Sequence, residues 1–85
     1  MKMCKVVGTI VSTVKDNRLS GRKLLICQAL NPEGRTLRET TVAVDCAGAG
    51  KGDTVLILSG TPAQSAANCP ADAAVIAIVD TIKPE

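Results

Sequence analysis

The 85-residue chain contains no Phe, Tyr, Trp or His, yet 46% of it is apolar. Imidazole is the commonest general base and metal ligand, and aromatic rings are the usual stacking platform for single-stranded nucleic acid, so both chemistries lose their ordinary residues. A formal charge of +2, from 10 Lys and Arg against 8 Asp and Glu, is too weak a field to attract nucleic acid or an anionic membrane, and the high apolar share argues against disorder.

In chain order, Met3 to Val14 reads as a β-branched first strand, with Cys4, Val6, Ile10 and Val14 on one face and Val7 and Val11 on the other. Gly8 interrupts the first face, as a bulge or bend in a small barrel would. Lys15 to Arg22 is a polar stretch with turn chemistry, and Lys23 to Leu30 is a short apolar run that suits a buried strand. Asn31-Pro32-Glu33-Gly34 is a turn, and a polar arm, Arg35 to Glu39, leads to a third strand over Thr40 to Cys46. Thr40, Val42, Val44 and Cys46 share one of its faces.

Ala47 to Asp53 is a loop of small residues with Gly48, Gly50 and Gly52 at alternate positions, and Thr54 to Ser59 is the fourth strand. Thr61-Pro62-Ala63-Gln64 predicts a short helix with Thr61 as N-cap, Pro62 at the first helical position and Gln64 closing a capping box. Asn68-Cys69-Pro70 ends that helix. The last strand is expected from Ala73 to Ile82, with Ala74, Ile76, Ile78 and Ile82 on one face beside Asp80. The prediction is therefore one all-β domain over residues 1–85: a five-stranded OB-like β-barrel with one short helix before the last strand.

So short a chain, packed only with aliphatics, needs help from disulfides, a metal or partner subunits. Cys4, Cys27, Cys46 and Cys69 are spread evenly with no C-x-x-C pair, which disfavours zinc. No apolar segment follows Met1 to Lys5 as a secretory signal would require, and no run approaches the roughly 18 residues of a membrane span. A cytoplasmic protein with reduced, structural thiols is the expectation, with no cofactor and no membrane association. The first and last strands are apolar on both faces, more than one short helix can cover, which predicts contact with further subunits.

Few positions invite chemistry. The glycine loop can be read as an anion cradle, but Gly50-Lys51-Gly52 is followed by a strand, unlike a phosphate loop, and tight backbone packing is the simpler reading. Asp45, Asp53, Asp72 and Asp80 share no common face, and carboxylates at strand ends commonly serve as caps. Asp80, among apolar face-mates, is expected to be partly buried and paired, structurally or between subunits. Lys15, Arg18, Arg22, Lys23, Arg35 and Arg38 concentrate positive charge in two loops, as a solvated surface or a dock for an acidic partner. A nucleophilic role for a hydroxyl lacks a base, and Cys69, in a predicted loop, is the thiol to inspect.

Three segments together resemble the EutN/CcmL family of bacterial microcompartment vertex proteins: Cys4-Lys5-Val6-Val7-Gly8-Thr9-Ile10-Val11, Val44-Asp45-Cys46-Ala47-Gly48-Ala49-Gly50-Lys51-Gly52-Asp53-Thr54-Val55-Leu56, and Pro70-Ala71-Asp72-Ala73-Ala74-Val75-Ile76-Ala77-Ile78-Val79-Asp80. The Asn31-Pro32-Glu33-Gly34 turn also falls where that family has one. The resemblance implies a non-enzymatic homopentamer that caps the five-fold vertices of a shell made mostly of hexameric proteins. It implies that Gly48, Ala49, Gly50, Gly52 and Asp53 serve subunit packing near the five-fold axis; Lys51, within the same loop, and Asp80, from its apolar face-mates, join them as candidate interface residues. Arg18, Arg22, Arg35 and Arg38 would face neighbouring hexamers. The alternative is an OB-like module for single-stranded nucleic acid, against which the missing rings and low charge argue.

Overall fold

The computed structural model describes residues 1–13 and 15–83. The strands are β1 (Lys2–Ile10), β2 (Leu24–Leu30), β3 (Thr36–Asp45), β4 (Thr54–Ser59) and β5 (Ala73–Ile78), with one helix, α1 (Thr61–Ala67), before the last of them. They close into a barrel in the order β1-β2-β3-β5-β4, and β4 returns to β1 through Lys2↔Ile57 to Lys5↔Thr54. Every ladder is antiparallel except β3–β5, which closes the barrel through only Val44↔Ala74 and Asp45↔Val75.

The interior is filled without rings. Cys4, Val6, Leu25, Cys27, Val55, Ile57 and Val75 are all at most 1% exposed and form one cluster inside the barrel. A five-stranded barrel encloses little volume, so β-branched and small side chains fill it. The expected bulge is present: pairing with β2 shifts register between Val6 and Gly8, and Ile26 Cδ1 would lie 3.4 Å from a Cβ added at Gly8.

A second cluster lies outside the barrel. Val44, Ala74, Ala63, Ala67 and Cys69 are buried together, with Leu19, Leu24, Leu58 and Ile76 packed around them. Leu19 comes from a one-turn 3-10 helix, Asn17–Leu19, in the polar stretch after β1, where only a turn was expected. Its start is fixed by Asp16, whose side chain accepts from the Arg18 backbone N–H. This cluster corrects the reading of β5: part of its second apolar face, Ala74 and Ile76, is covered by α1 of the same chain rather than by a neighbour.

Other expectations are corrected in detail. Strand β1 stops at Ile10, so Val11 stands 96% exposed beyond it, and Val14 falls outside the described residues. The polar arm Arg35 to Glu39 belongs mostly to β3, which begins at Thr36. On β3 the face shared by Thr40, Val42 and Val44 is the outer one; Val44 is buried in the cluster that Leu19, Leu24 and residues of α1 form outside the barrel, while Val42 is 45% exposed. Strand β5 ends at Ile78, and Asp80 is exposed rather than partly buried. After Val79 N–H bonds the Thr54 carbonyl the chain leaves the sheet, so Asp80 no longer shares a strand face with Ile76 and Ile78.

Helix α1 begins one residue earlier than a Thr61 cap requires. Gly60 is the N-cap, at φ 70° and ψ −145°, and no side chain caps the helix. Its carbonyl accepts from Ala63 and Gln64, while its N–H bonds the Asp72 carbonyl at 2.7 Å. That tie to the segment before β5 holds the backbone in a region open essentially to glycine, so the capping box does not form. Asn68, in the left-handed conformation at φ 52°, ends the helix where Asn68-Cys69-Pro70 predicts.

Candidate subunit-packing loop

The loop from Cys46 to Asp53 lies against one side of the barrel and is built around a single carboxylate. Asp45 ends β3, and its Oδ1 accepts from the backbone N–H groups of Ala47, Gly48 and Ala49 at 3.0, 3.1 and 3.2 Å. Its Oδ2 lies 3.2 Å from Lys23 Nζ, and that ammonium also donates to the Ala49 carbonyl. The Asp45 side chain is only 4% exposed, so the three N–H groups and the ammonium replace the water it has lost. Burial alone would push its carboxyl up; the bonds from Ala47 and Ala49 and the neighbouring Lys23 outweigh that and hold it below the ordinary Asp value.

Gly48, at φ 79°, supplies the turn that lets three successive N–H groups point at one oxygen. The turn drives Ala49 into the barrel core, where it is fully buried. The second half of the loop has its own clasp: Asp53 Oδ2 accepts from Gly50 N–H at 2.8 Å, and Asp53 N–H returns to the Gly50 carbonyl at 3.0 Å. Gly52 N–H donates to the Val6 carbonyl at 2.8 Å and Val6 N–H to the Asp53 carbonyl at 2.9 Å, which ties the loop to β1 next to its bulge. Nothing lies within 4 Å of a Cβ added at Gly48, Gly50 or Gly52. The stretch from Gly48 to Gly52 thus presents an outer surface on which the exposed Lys51 is the side chain, with exposed Cys46 at the start of the loop, on a frame held by Asp45, Asp53 and Lys23.

The predicted residues sort accordingly. Gly48, Lys51 and Gly52 are exposed, Gly50 and Asp53 are half-buried, and Ala49 is turned into its own barrel. The loop N–H groups that would make an anion cradle, those of Ala47, Gly48, Ala49 and Gly50, are already taken by the chain's own carboxylates. Asp45 and Lys23 were not among the packing residues expected from sequence. The signal available for Asp45 was its place at a strand end before small residues, where a carboxylate caps a turn.

Of the basic side chains, Arg18 is clasped by Asp16 through Nε and Nη2 at 3.1 and 2.9 Å. Arg35 and Arg38 are exposed and enter no ion pair among the described residues. Arg22 is half-buried, and its Nε has no hydrogen-bond acceptor among the described residues.

All four cysteines are free. Cys4, Cys27 and Cys69 are buried, which removes Cys69 as an accessible thiol, and only Cys46 is exposed. Burial, helped by the neighbouring Cys4 and Asp45, pushes the Cys27 thiol up to about 11, so it stays protonated. Among the described residues no group of three or more Cys, Asp or Glu is placed to hold a metal ion. No helix among them is long and apolar enough to cross a membrane.

Comparison with known proteins converges on one group. Residues 1–80 match the family model described as ethanolamine utilisation protein EutN/carboxysome. The carboxysome shell vertex protein CcmL of Synechococcus elongatus is 47% identical over 100% of this chain and 89% of its own length. The microcompartment shell vertex protein EutN of Escherichia coli is 40% identical over 96% of this chain and 90% of its own. The structure of GrpN, a pentameric microcompartment shell protein from Rhodospirillum rubrum, superposes with a TM-score of 0.93 at 41% identity and covers 100% of both chains.

Proposed function

The chain belongs to the EutN/CcmL family of bacterial microcompartment shell vertex proteins, and from that membership we propose that it assembles as a homopentamer capping the five-fold corners of a shell whose facets are hexameric proteins. Its work is structural rather than enzymatic. The observation that carries this reading is the end-to-end superposition on a pentameric shell protein, with no part of either chain left over. A flat sheet of six-fold units cannot enclose a volume, and five-fold units at the corners supply the curvature. The nucleic-acid alternative is disfavoured, because the relatives that share the whole barrel are shell proteins.

Within this reading the glycine loop is the close-approach surface of the ring. Gly48, Gly50, Gly52 and the backbone around Lys51 and Asp53 let a neighbouring chain come within backbone contact, and Ala49 and Asp45 hold that surface in place. Asp80, exposed and outside the sheet, is available to a neighbouring chain. Arg35 and Arg38, exposed and without an ion pair among the described residues, are the better candidates for contact with hexamers; Arg18 is engaged by Asp16, and Arg22 is half-buried.

Co-expression with a hexamer-forming shell protein of the same organism tests the vertex role. Closed polyhedral shells containing the chain are expected under the electron microscope, with open sheets or tubes when it is omitted. Shells that close equally well without it, or that exclude it, would contradict the proposal.

A further inference from the structure

Two thiols flank the shortest ladder of the barrel. Strands β3 and β5 share only Val44↔Ala74 and Asp45↔Val75. On the outer side of that seam, Val44 and Ala74 lie in the cluster that also buries Cys69, just beyond the end of α1. Cys46 stands one step along the same rows. It follows Val44 on the outer face at the strand period of two, and its backbone N–H bonds the Val75 carbonyl, so the ladder persists to this residue. The registers Leu24↔Val44 and Val44↔Ala74, carried two residues on, set Arg22 on one side of Cys46 and Ile76 on the other. Ile76 packs against the cluster that holds Cys69.

The two sulfurs differ in access. Cys46 is exposed, whereas Cys69 is only 7% exposed. Cys69 nevertheless lines an open pocket of about 260 Å³ with Arg18, Gln64, Asn68 and Pro70. Burial raises the Cys46 thiol, the Arg22 guanidinium opposes that, and Cys69 and Asp45 add to it, as groups crowded at one spot do. Cys4 and Cys27 lie apart from this pair, sealed inside the barrel on the other face of the sheet.

We propose that Cys46 and Cys69 form a reversible disulfide that staples the end of α1 to the seam between β3 and β5. A small disulfide such as oxidised glutathione is the oxidant. The Cys46 thiol gives its proton to water, and the thiolate attacks one sulfur of that disulfide, whose S–S bond breaks and releases one thiolate to be protonated. The Cys69 thiol, deprotonated in turn, attacks Cys46 Sγ and expels the second. Two protein thiols thereby lose two electrons and two protons, and one small disulfide becomes two small thiols. Arg22 beside Cys46 and Arg18 beside Cys69 favour the thiolate that each attack requires. An excess of small thiol runs both steps backwards. The bridge closes the stretch of chain that carries the glycine loop, β4 and α1, so it restricts the unfolded chain and fixes the residue next to Asp45.

The test is to incubate the folded, unmodified chain with oxidised glutathione and then alkylate it under denaturing conditions. The alkylated cysteines should fall from four to two, peptide mapping should join Cys46 to Cys69, and dithiothreitol should restore all four. The oxidised chain should melt roughly 10 °C or more above the reduced one. Cys46→Ser, treated in the same way, should keep its three thiols free and its melting temperature unchanged. The inference is overturned by a glutathione adduct that persists on Cys46, by a Cys46–Cys46 link between chains, or by four thiols that stay free in the folded chain. A bond that forms without raising the melting temperature, or an equal rise in Cys46→Ser, overturns the staple as well.

Discussion

Gly50→Leu should fold as a monomer and fail to assemble. Within one chain the substitution meets no obstacle. Gly50 does not need a positive φ, and no atom lies within 4 Å of an added Cβ. Its hydrogen bonds to Asp53 are made by the backbone and survive a side chain. The effect on unfolding of the isolated chain should therefore stay within about 0.5 kcal/mol. In the ring, an isobutyl group would stand where a neighbouring backbone is proposed to approach. Sedimentation velocity should show the five-chain species replaced by single chains. Gly48→Leu is the informative contrast: at φ 79° a side chain is strained even in the monomer, at roughly 1–2 kcal/mol, so it should lower the melting temperature as well. A Gly50→Leu chain that still forms pentamers would remove this loop from the interface.

Asp45→Ala should destabilise the monomer itself. It strips three backbone N–H groups of their acceptor and leaves Lys23 without its carboxylate. Hydrogen bonds to a charged acceptor contribute about 1.5–3 kcal/mol each, and water reaches the exposed Gly48 N–H, so a net loss of about 2–4 kcal/mol is expected from urea unfolding. Hydrogen exchange at Ala47, Gly48 and Ala49 should accelerate with it.

The same carboxylate gives the pH dependence its sign. Its folded pKa lies below the ordinary 3.8, so the stability it contributes is complete above that value. The contribution declines as pH falls from 3.8 through the folded pKa, and it is absent below both. The difference in stability between wild type and Asp45→Ala should therefore be constant near neutrality and shrink in acid. A difference that persisted unchanged below the folded pKa would mean that the carboxylate is not ionised in the clasp.

Most of the barrel is visible in the chain itself. Alternation marks the first half of β1 through Cys4 and Val6, Gly8 marks the bulge, and Asn31 to Gly34 marks the hairpin, because each rests on local backbone chemistry. The bulge then carries Ile10 to the outer face opposite Leu24, so it does not share the face of Cys4 and Val6 as expected. The errors come from tertiary context. The apolar pattern continues through Val11 and through Val79 and Ile82, but the sheet ends where no partner strand remains to pair. Thr61 has the chemistry of a cap, yet the bond from Gly60 to the Asp72 carbonyl decides the helix entry, and that bond joins residues twelve apart in the chain.

The second face of β5 shows the same limit. Apolar Ala74 and Ile76 are equally explained by a neighbour or by α1, and only the packed chain assigns them to α1. At the candidate site, the glycines were legible from their spacing. The clasp was not, because Lys23 and Asp45 meet only when β2 and β3 pair. What survives as unexplained by the single chain is a smaller apolar surplus than the sequence suggests, confined to Val7, Val42, Leu37 and a few others.

The central claim is that five copies form the working unit, and native mass spectrometry of the unmodified chain tests it most directly. A dominant species of five times the 8.7 kDa chain mass, persisting on dilution into the low micromolar range, is the predicted result. A stable monomer or dimer at concentrations where the chain is fully folded would contradict it.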